Sequence, residues 1–351
     1  KGLERVRRLG QIGKVDRHGG LLRISDREGY RLRLTVCRSD TKSYPCRMAT
    51  VAVIGAGLSG LVVSRELTRS HDVAVFEKSR GVGGRMATRR AAPFEFDHGA
   101  QFCTARTKAF RTYLEPLIES GIVADWPAVF AELRGDDVSS NRHWGEEYPH
   151  FVGVPGMNAV GKALASDLDV RLETTVGSLS RQDACWLLRD DSEQDLGEFD
   201  WVVVTTPASQ AADLLAGTAL ASCTNVEMLS CFALLLGFDA APDRPWQAAV
   251  VRDADISWIS VNSSKPGRPA ATSIVAHSTN AWANAHIDDD PGVVQRHLSE
   301  AFSAVSGIDA AGAAYAAVHR WRYANVEQQA GERFALDAGQ KLAACGDWFV
   351  R

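Results

Sequence analysis

The stretch Gly55-Ala56-Gly57-Leu58-Ser59-Gly60 constrains this chain more than any other. It follows directly on Ala49–Ile54, a short β-rich run that is apolar on both faces, as a buried parallel strand requires. Leu61, Val62 and Leu67 then recur at helical spacing. His71-Asp72 makes a turn, Val73–Phe76 reads as a second strand, and Glu77 closes it 20 residues after Gly57. Strand, glycine turn, helix, strand and terminal acid in this register are a βαβ unit with a dinucleotide fingerprint. Gly55 permits the tight turn, Gly57 lets a pyrophosphate approach the backbone, and Gly60 lets helix and strand pack closely. The helix N-terminus, with Leu58 and Ser59 in its first turn, offers free N–H groups to the phosphates. Glu77, followed by Lys78, can accept hydrogen bonds from ribose hydroxyls and would repel a 2′-phosphate.

A plain nicotinamide-dinucleotide fold does not explain what comes next. Arg80-Gly81-Val82-Gly83-Gly84-Arg85-Met86 supplies a flexible backbone and a cation able to reach a pyrophosphate or the polar edge of a flavin. Phe96-Asp97-His98-Gly99-Ala100-Gln101-Phe102 contains a small Gly99-Ala100 pair that can lie flat against a ring system.

Composition removes other classes. At about 150 residues per domain, 351 residues imply two domains. The 45% hydrophobic and 23% charged content excludes a disordered chain, a collagen and a coiled-coil rod. No apolar run approaches ~18 residues, so no membrane partner is expected. The 7 cysteines are scattered without a Cys-x-x-Cys pair, which argues against a zinc ribbon or redox pair. No metal site is expected, and reduced thiols without a signal peptide point to the cytoplasm. Residues 1–47 carry thirteen basic against five acidic residues, yet have no aromatic run, signal core or amphipathic period. That leader is expected to stand outside the functional fold, with Met48 opening it, and nucleic acid is not expected as a partner.

The combined motifs resemble the flavin-containing amine oxidase superfamily, and within it the renalase-like flavoproteins of bacteria. Arg80–Arg90, Phe96–Thr107, Val154–Met157, Val202–Pro207, His319–Tyr323 and Cys345–Trp348 carry the resemblance, which runs from about Ala49 to Val350. It implies an α/β fold: a discontinuous Rossmann-like FAD-binding domain (48–104, 151–210 and 325–351) and a second α+β substrate domain (105–150 and 211–324) on an antiparallel sheet. It implies noncovalent FAD, with Asp347 of Gly346-Asp347 on the ribityl chain or nearby phosphate. Cys345 precedes that pair and so is not placed for covalent attachment. The resemblance also implies a closing helix after Gly346-Asp347. The sequence stops at Arg351, so weakened FAD binding is expected of it.

The resemblance implies oxidation of misplaced-hydride dihydronicotinamides (2- or 6-dihydro-NAD(P)), with O2 returning as H2O2. A flavin amine oxidase, a monooxygenase and an inactive fragment are the competing readings. Substrate-side candidates are His277 and Trp321, then Trp282, Arg320, Arg322 and Tyr323, with His98 in a positioning role. Trp282 can stack on a nicotinamide or fill core; Arg320 and Arg322 can meet phosphates or pair with the acidic body. Local patterns predict helices over 107–120, with Pro116 bending or ending it, over 155–168 and over 293–305. They predict strands over 201–206, 230–238, 246–251, 256–261, 272–277 and 342–345, and hairpins within 128–153 and 170–190.

Overall fold

The computed structural model describes residues 21–24, 32–35, 48–134, 137–143 and 149–349. The apolar run behind the glycine turn becomes the Thr50–Ile54 strand, near the centre of a six-stranded sheet. The strand order is Asp169–Arg171, Asp72–Phe76, Thr50–Ile54, Trp201–Val204, Leu342–Ala344 and Ala335–Asp337. The first five run parallel and the last pairs antiparallel. Val51 and Val53 pack on one face with Leu61, Leu67, Val160 and Leu164, from the helices Leu58–Leu67 and Asn158–Ala165. Ala52 and Ile54 pack on the other with Trp186, Leu188, Leu214 and Trp348. Burial on both faces explains why the strand reads as an unbroken apolar run. Chain order reverses between Thr50–Ile54 and Trp201–Val204, which opens a crevice at their carboxyl ends.

Gly60 sets the closeness of that crevice. A Cβ placed there would lie 1.9 Å from the Gly55 carbonyl oxygen and 2.7 Å from Thr205 Oγ1. The Thr205 hydroxyl in turn bonds the carbonyls of Ile54 (2.9 Å) and Gly55 (3.0 Å), tying the turn to the neighbouring strand.

The second sheet has seven strands: Asp137–His143, Val129–Arg134, Ala248–Arg252, Ile256–Val261, Thr272–Ser278, Met228–Phe238 and Tyr315–Val326. It departs from the expected antiparallel sheet at one junction. Val129–Arg134 and Ala248–Arg252 pair in parallel, because a long connection returns the chain in the same direction. Phe232, Leu234, Ile259 and Ile274 face Val294, Leu298 and Phe302 of the helix Pro291–Ser306. Ala233, Leu235 and Val275 face the opposite way and pack on Phe94 and Phe96, from the strand that precedes His98.

Several boundaries shift for identifiable reasons. The Pro291–Ser306 helix begins earlier than expected because Asp290 Oδ1 caps the Gly292 (2.9 Å) and Val293 (3.2 Å) N–H groups, with Pro291 in the first turn. The Lys108–Glu119 helix runs past Pro116 instead of ending there. Thr112, whose carbonyl loses its partner, is exposed to water. The helix expected over 155–168 spans Asn158–Ala165. In the leader, Leu21–Ile24 and Leu32–Thr35 form a separate two-stranded sheet. The rest of 1–47, and with it most of the expectation about the leader, lies outside the described residues. Among the described residues no helix is long and apolar enough to cross a membrane.

Candidate functional site

The crevice is bounded by two glycine segments. Gly57 is the N-cap of the Leu58–Leu67 helix and has open space where a Cβ would stand. A Cβ on Gly84 would come within 3.3 Å of the Gly57 Cα, so the second glycine segment closes against the first. Gly83 is buried, with its N–H on the Ala56 carbonyl at 2.8 Å. Glu77 is buried, and its carboxylate accepts from the Ala56 and Ser79 N–H groups, both at 2.8 Å. Leu58 and Lys78 are exposed, and Ser59 and Met86 are half-buried.

The chain brings Arg85 and Asp347 together from 262 residues apart. The guanidinium makes two 2.7 Å bonds to the carboxylate, and a third of 3.2 Å to the Ala324 carbonyl. Both side chains remain partly open, at 32% and 43% exposure, so they form a fork at a surface and not a buried lock. Each was expected to meet the cofactor separately; the structure makes them one unit.

Next to them runs the segment Asp97–Gln101. A Cβ on Gly99 would lie 2.0 Å from the Arg85 carbonyl oxygen and 3.3 Å from Trp321. Ala100 donates its N–H to that same carbonyl at 2.8 Å. The His98 carbonyl accepts from Trp321 Nε1 at 2.8 Å and His277 Nε2 at 3.2 Å. A carbonyl only accepts, so the His277 proton sits on Nε2. The His98 ring stacks on Trp321 (5.2 Å, 20°) and meets His319 edge-on at 4.5 Å. Cross-strand register puts Trp258, His277, Ala233 and His319 in one row on the face towards this segment. Burial lowers the pKa of His98, His277 and His319 to about 4 each, so all three are neutral at pH 7.

The family description "Flavin containing amine oxidoreductase" matches residues 119–334, more than half of the sequence. The chain belongs to this family. An NAD(P)-binding Rossmann-like domain matches residues 53–116, which include the glycine turn. A Mycobacterium tuberculosis protein assigned as a flavin-containing monoamine oxidase is 51% identical over 53 residues, 15% of this chain and 12% of that relative. The similarity thus spans only a small part of the curated relative. Two solved structures share the fold at 13% identity, each covering 86% of this chain and 94% of their own. One is a protein assigned as a protoporphyrinogen oxidase from Exiguobacterium (TM-score 0.69), the other cyclohexylamine oxidase from Brevibacterium oxydans (TM-score 0.64).

FAD is the cofactor of the flavin-containing amine oxidoreductases, and the residues here fit it. The glycine-lined crevice is closed to any side chain at Gly60 and open at Gly57, where backbone must approach a phosphate. Thr206 Oγ1, just past the carboxyl end of the neighbouring strand, is buried with no hydrogen-bond partner among the described residues. Glu77 keeps lone pairs beyond the two it uses. Gln101 behaves differently. It is buried, and its amide makes four hydrogen bonds inside the protein, which leaves none for a ligand.

Other candidates lie elsewhere. Arg320 and Arg322 point to the helix side of the sheet, Arg322 in an ion pair with the Asp288 carboxylate and Arg320 on the backbone carbonyl of Asp289. Trp282 is sandwiched between His286 (4.5 Å) and His297 (4.7 Å) on that same side and is a packing residue. Sequence reasoning missed a network of three charged residues, of which only Asp97 stands in a motif singled out there. Asp97, fully buried, is ion-paired with Lys265 (3.4 Å) and Arg268 (2.5 Å), both 1% exposed or less at the side chain. Burial alone would raise the Asp97 pKa, but the two cations outweigh it and hold it below the usual value. The only sequence signal was two cations flanking Pro266-Gly267 in a loop between strands.

Proposed function

We propose that this chain is an FAD-dependent oxidase that takes hydride from dihydronicotinamide isomers, with O2 as final acceptor and H2O2 as product. The observation that carries this reading is the charge state of the substrate side. The three imidazoles around the Gly99 turn are neutral, and the Asp97 and Asp347 carboxylates are each matched by cations. Such a surface offers no unmatched carboxylate to an ammonium ion and suits a neutral planar ring.

FAD, held by the glycine-lined crevice, would supply the two-electron acceptor for the hydride and the centre that O2 reoxidises. The chain's residues supply the rest. Gly55, Gly57, Gly60, Gly83 and Gly84 bring backbone to the pyrophosphate, and Glu77 holds ribose hydroxyls. Arg85 and Asp347 present a charged fork to the polar part of the cofactor. His277 and Trp321 act as positioning residues: their donors are spent on the His98 carbonyl, and they hold the Gly99–Ala100 peptide in place. Loss of hydride makes the nicotinamide ring aromatic, so no strong base is required of the protein. Cys345 carries a thiol whose pKa burial pushes up to about 11, which disfavours the thiolate and agrees with noncovalent FAD.

The family description supports a second reading, oxidation of a small amine. One experiment separates them: the FAD-loaded protein is mixed anaerobically with 2-dihydro-NAD, and in a parallel cell with cyclohexylamine. Bleaching of the flavin band by the dihydronicotinamide alone is expected. Bleaching by the amine alone would transfer the assignment to amine oxidation.

A further inference from the structure

We propose that Lys265 is a positioning residue for the flavin-facing segment, acting through the Gln101 amide that it anchors. Lys265 comes from the 262–268 loop of the seven-stranded sheet, whereas Gln101 follows the Phe94–Asp97 strand, so the contact joins the two halves of the molecule. The Lys265 side chain is fully buried, with Nζ 3.0 Å from Gln101 Oε1, 3.0 Å from Asn262 Oδ1 and 3.4 Å from Asp97 Oδ2.

An ammonium has donors and no acceptor, so the group facing it must be the oxygen of Gln101. The Gln101 NH2 is then turned the other way, where it donates to the carbonyls of Asp97 (2.6 Å) and Gly99 (2.9 Å). The Ser260 hydroxyl, 2.7 Å from Gln101 Oε1, cannot impose this choice, because a hydroxyl can donate or accept. Without Lys265 the Gln101 oxygen keeps only the Ser260 hydroxyl, while the Asp97 and Gly99 carbonyls still hold the NH2 in its present direction. The amide then loses its charge-assisted anchor, and the Asp97–Gly99 turn that hangs on it loosens. Gly99 has no slack to absorb that movement, since it already lies against the Arg85 carbonyl and Trp321. Lys265 therefore sets how the Gly99–Ala100 peptide is presented without touching the cofactor itself. Asp97 and Arg268 make the burial tolerable: Asp97 balances the cations and also anchors the Thr88 hydroxyl (2.7 Å) and the Met157 N–H (2.9 Å).

This inference rests on the reading that Gly99–Ala100 faces FAD, and its test keeps the two apart. FAD affinity, the flavin's visible spectrum and its midpoint potential are measured on the full chain and on Lys265→Met, Gln101→Met and the double variant. Lys265→Met should weaken FAD binding roughly tenfold, the loss of one charge-assisted hydrogen bond's hold, and should alter both spectrum and potential. The double variant should be no worse than the worse single one, since both substitutions remove the same constraint. If Lys265→Met does not fold, Gln101→Glu serves: it keeps the shape and gives Lys265 an anionic partner, but turns a carboxylate oxygen onto the two carbonyls. It should show the same loss. Variants whose affinity, spectrum and potential match the parent's while only their melting temperature falls would overturn this inference alone, as would additive effects in the double variant. A parent protein that takes up no FAD would overturn the flavin reading and this inference together.

Discussion

Glu77 is held in place by the chain itself. Its two oxygens are already bonded to the Ala56 and Ser79 N–H groups, so one side chain shapes the glycine turn and presents the remaining lone pairs. Glu77→Ala leaves the buried Ala56 N–H without its acceptor and frees the Ser79 N–H to water, a loss of about 1–3 kcal/mol that comes from the buried donor. The melting temperature of the FAD-free protein should fall, which separates this structural task from ribose binding. Gly99 is constrained in a different way. Its Cβ position lies inside the van der Waals envelope of the Arg85 carbonyl, and that backbone is tied to Ala100. Gly99→Ala should cost about 1–3 kcal/mol, as overpacking does, and should abolish stoichiometric FAD uptake, read from the visible absorbance after gel filtration. Ordinary FAD uptake by Gly99→Ala would show that this turn does not face the cofactor.

At the scale of elements, the Tyr315–Val326 strand divides its side chains between two jobs. His319 and Trp321 face the His98 segment, while Arg320 and Arg322 face the connection that leads into the Pro291–Ser306 helix. Substitutions on the two faces should therefore separate. Trp321→Phe keeps a ring on His98 but removes one of the two donors to its carbonyl. It should slow flavin reduction by 2-dihydro-NAD in stopped-flow measurements. Arg322→Ala breaks an exposed ion pair, and should leave both that rate and the melting temperature within error. The same strand shows what sequence can and cannot reveal. The Thr50–Ile54 strand and its glycine turn were legible because burial on both faces leaves an apolar run and close approach demands glycine. The Arg320–Tyr323 stretch was legible as a motif but not as a strand: one face packs on rings and the other meets carboxylates, so no alternation of apolar and polar residues marks it. Lys265, Arg268 and Asp97 were harder still. Their spacing carries no period, and only the docking of the 262–268 loop on the Phe94–Asp97 strand turns three charged residues into one buried network.

For the whole molecule, that junction between the two sheets should set the limit of acid stability. His98, His277 and His319 all lie where the Asp97–Gln101 segment meets the seven-stranded sheet, and burial lowers each pKa from 6.5 to about 4. A group whose pKa is lower folded than unfolded contributes stability that is present above the unfolded value and lost as pH falls through the folded one. The three imidazoles share a window, so the loss should be steep between pH 6.5 and 4. Asp97 acts in the same direction but lower, since its pKa is held below 3.8. The cause in the histidine window is chiefly desolvation and not ion pairing, so added salt should leave the slope largely in place. Melting temperatures recorded from pH 7.5 to 4 at low and high salt should fall together. In His319→Phe, which keeps a ring beside His98 and Trp321 but removes one titrating group, the fall should be shallower. A flat profile through this window would mean that water reaches the imidazoles, and that the sheet face and the Gly99 segment do not stay closed on one another in solution.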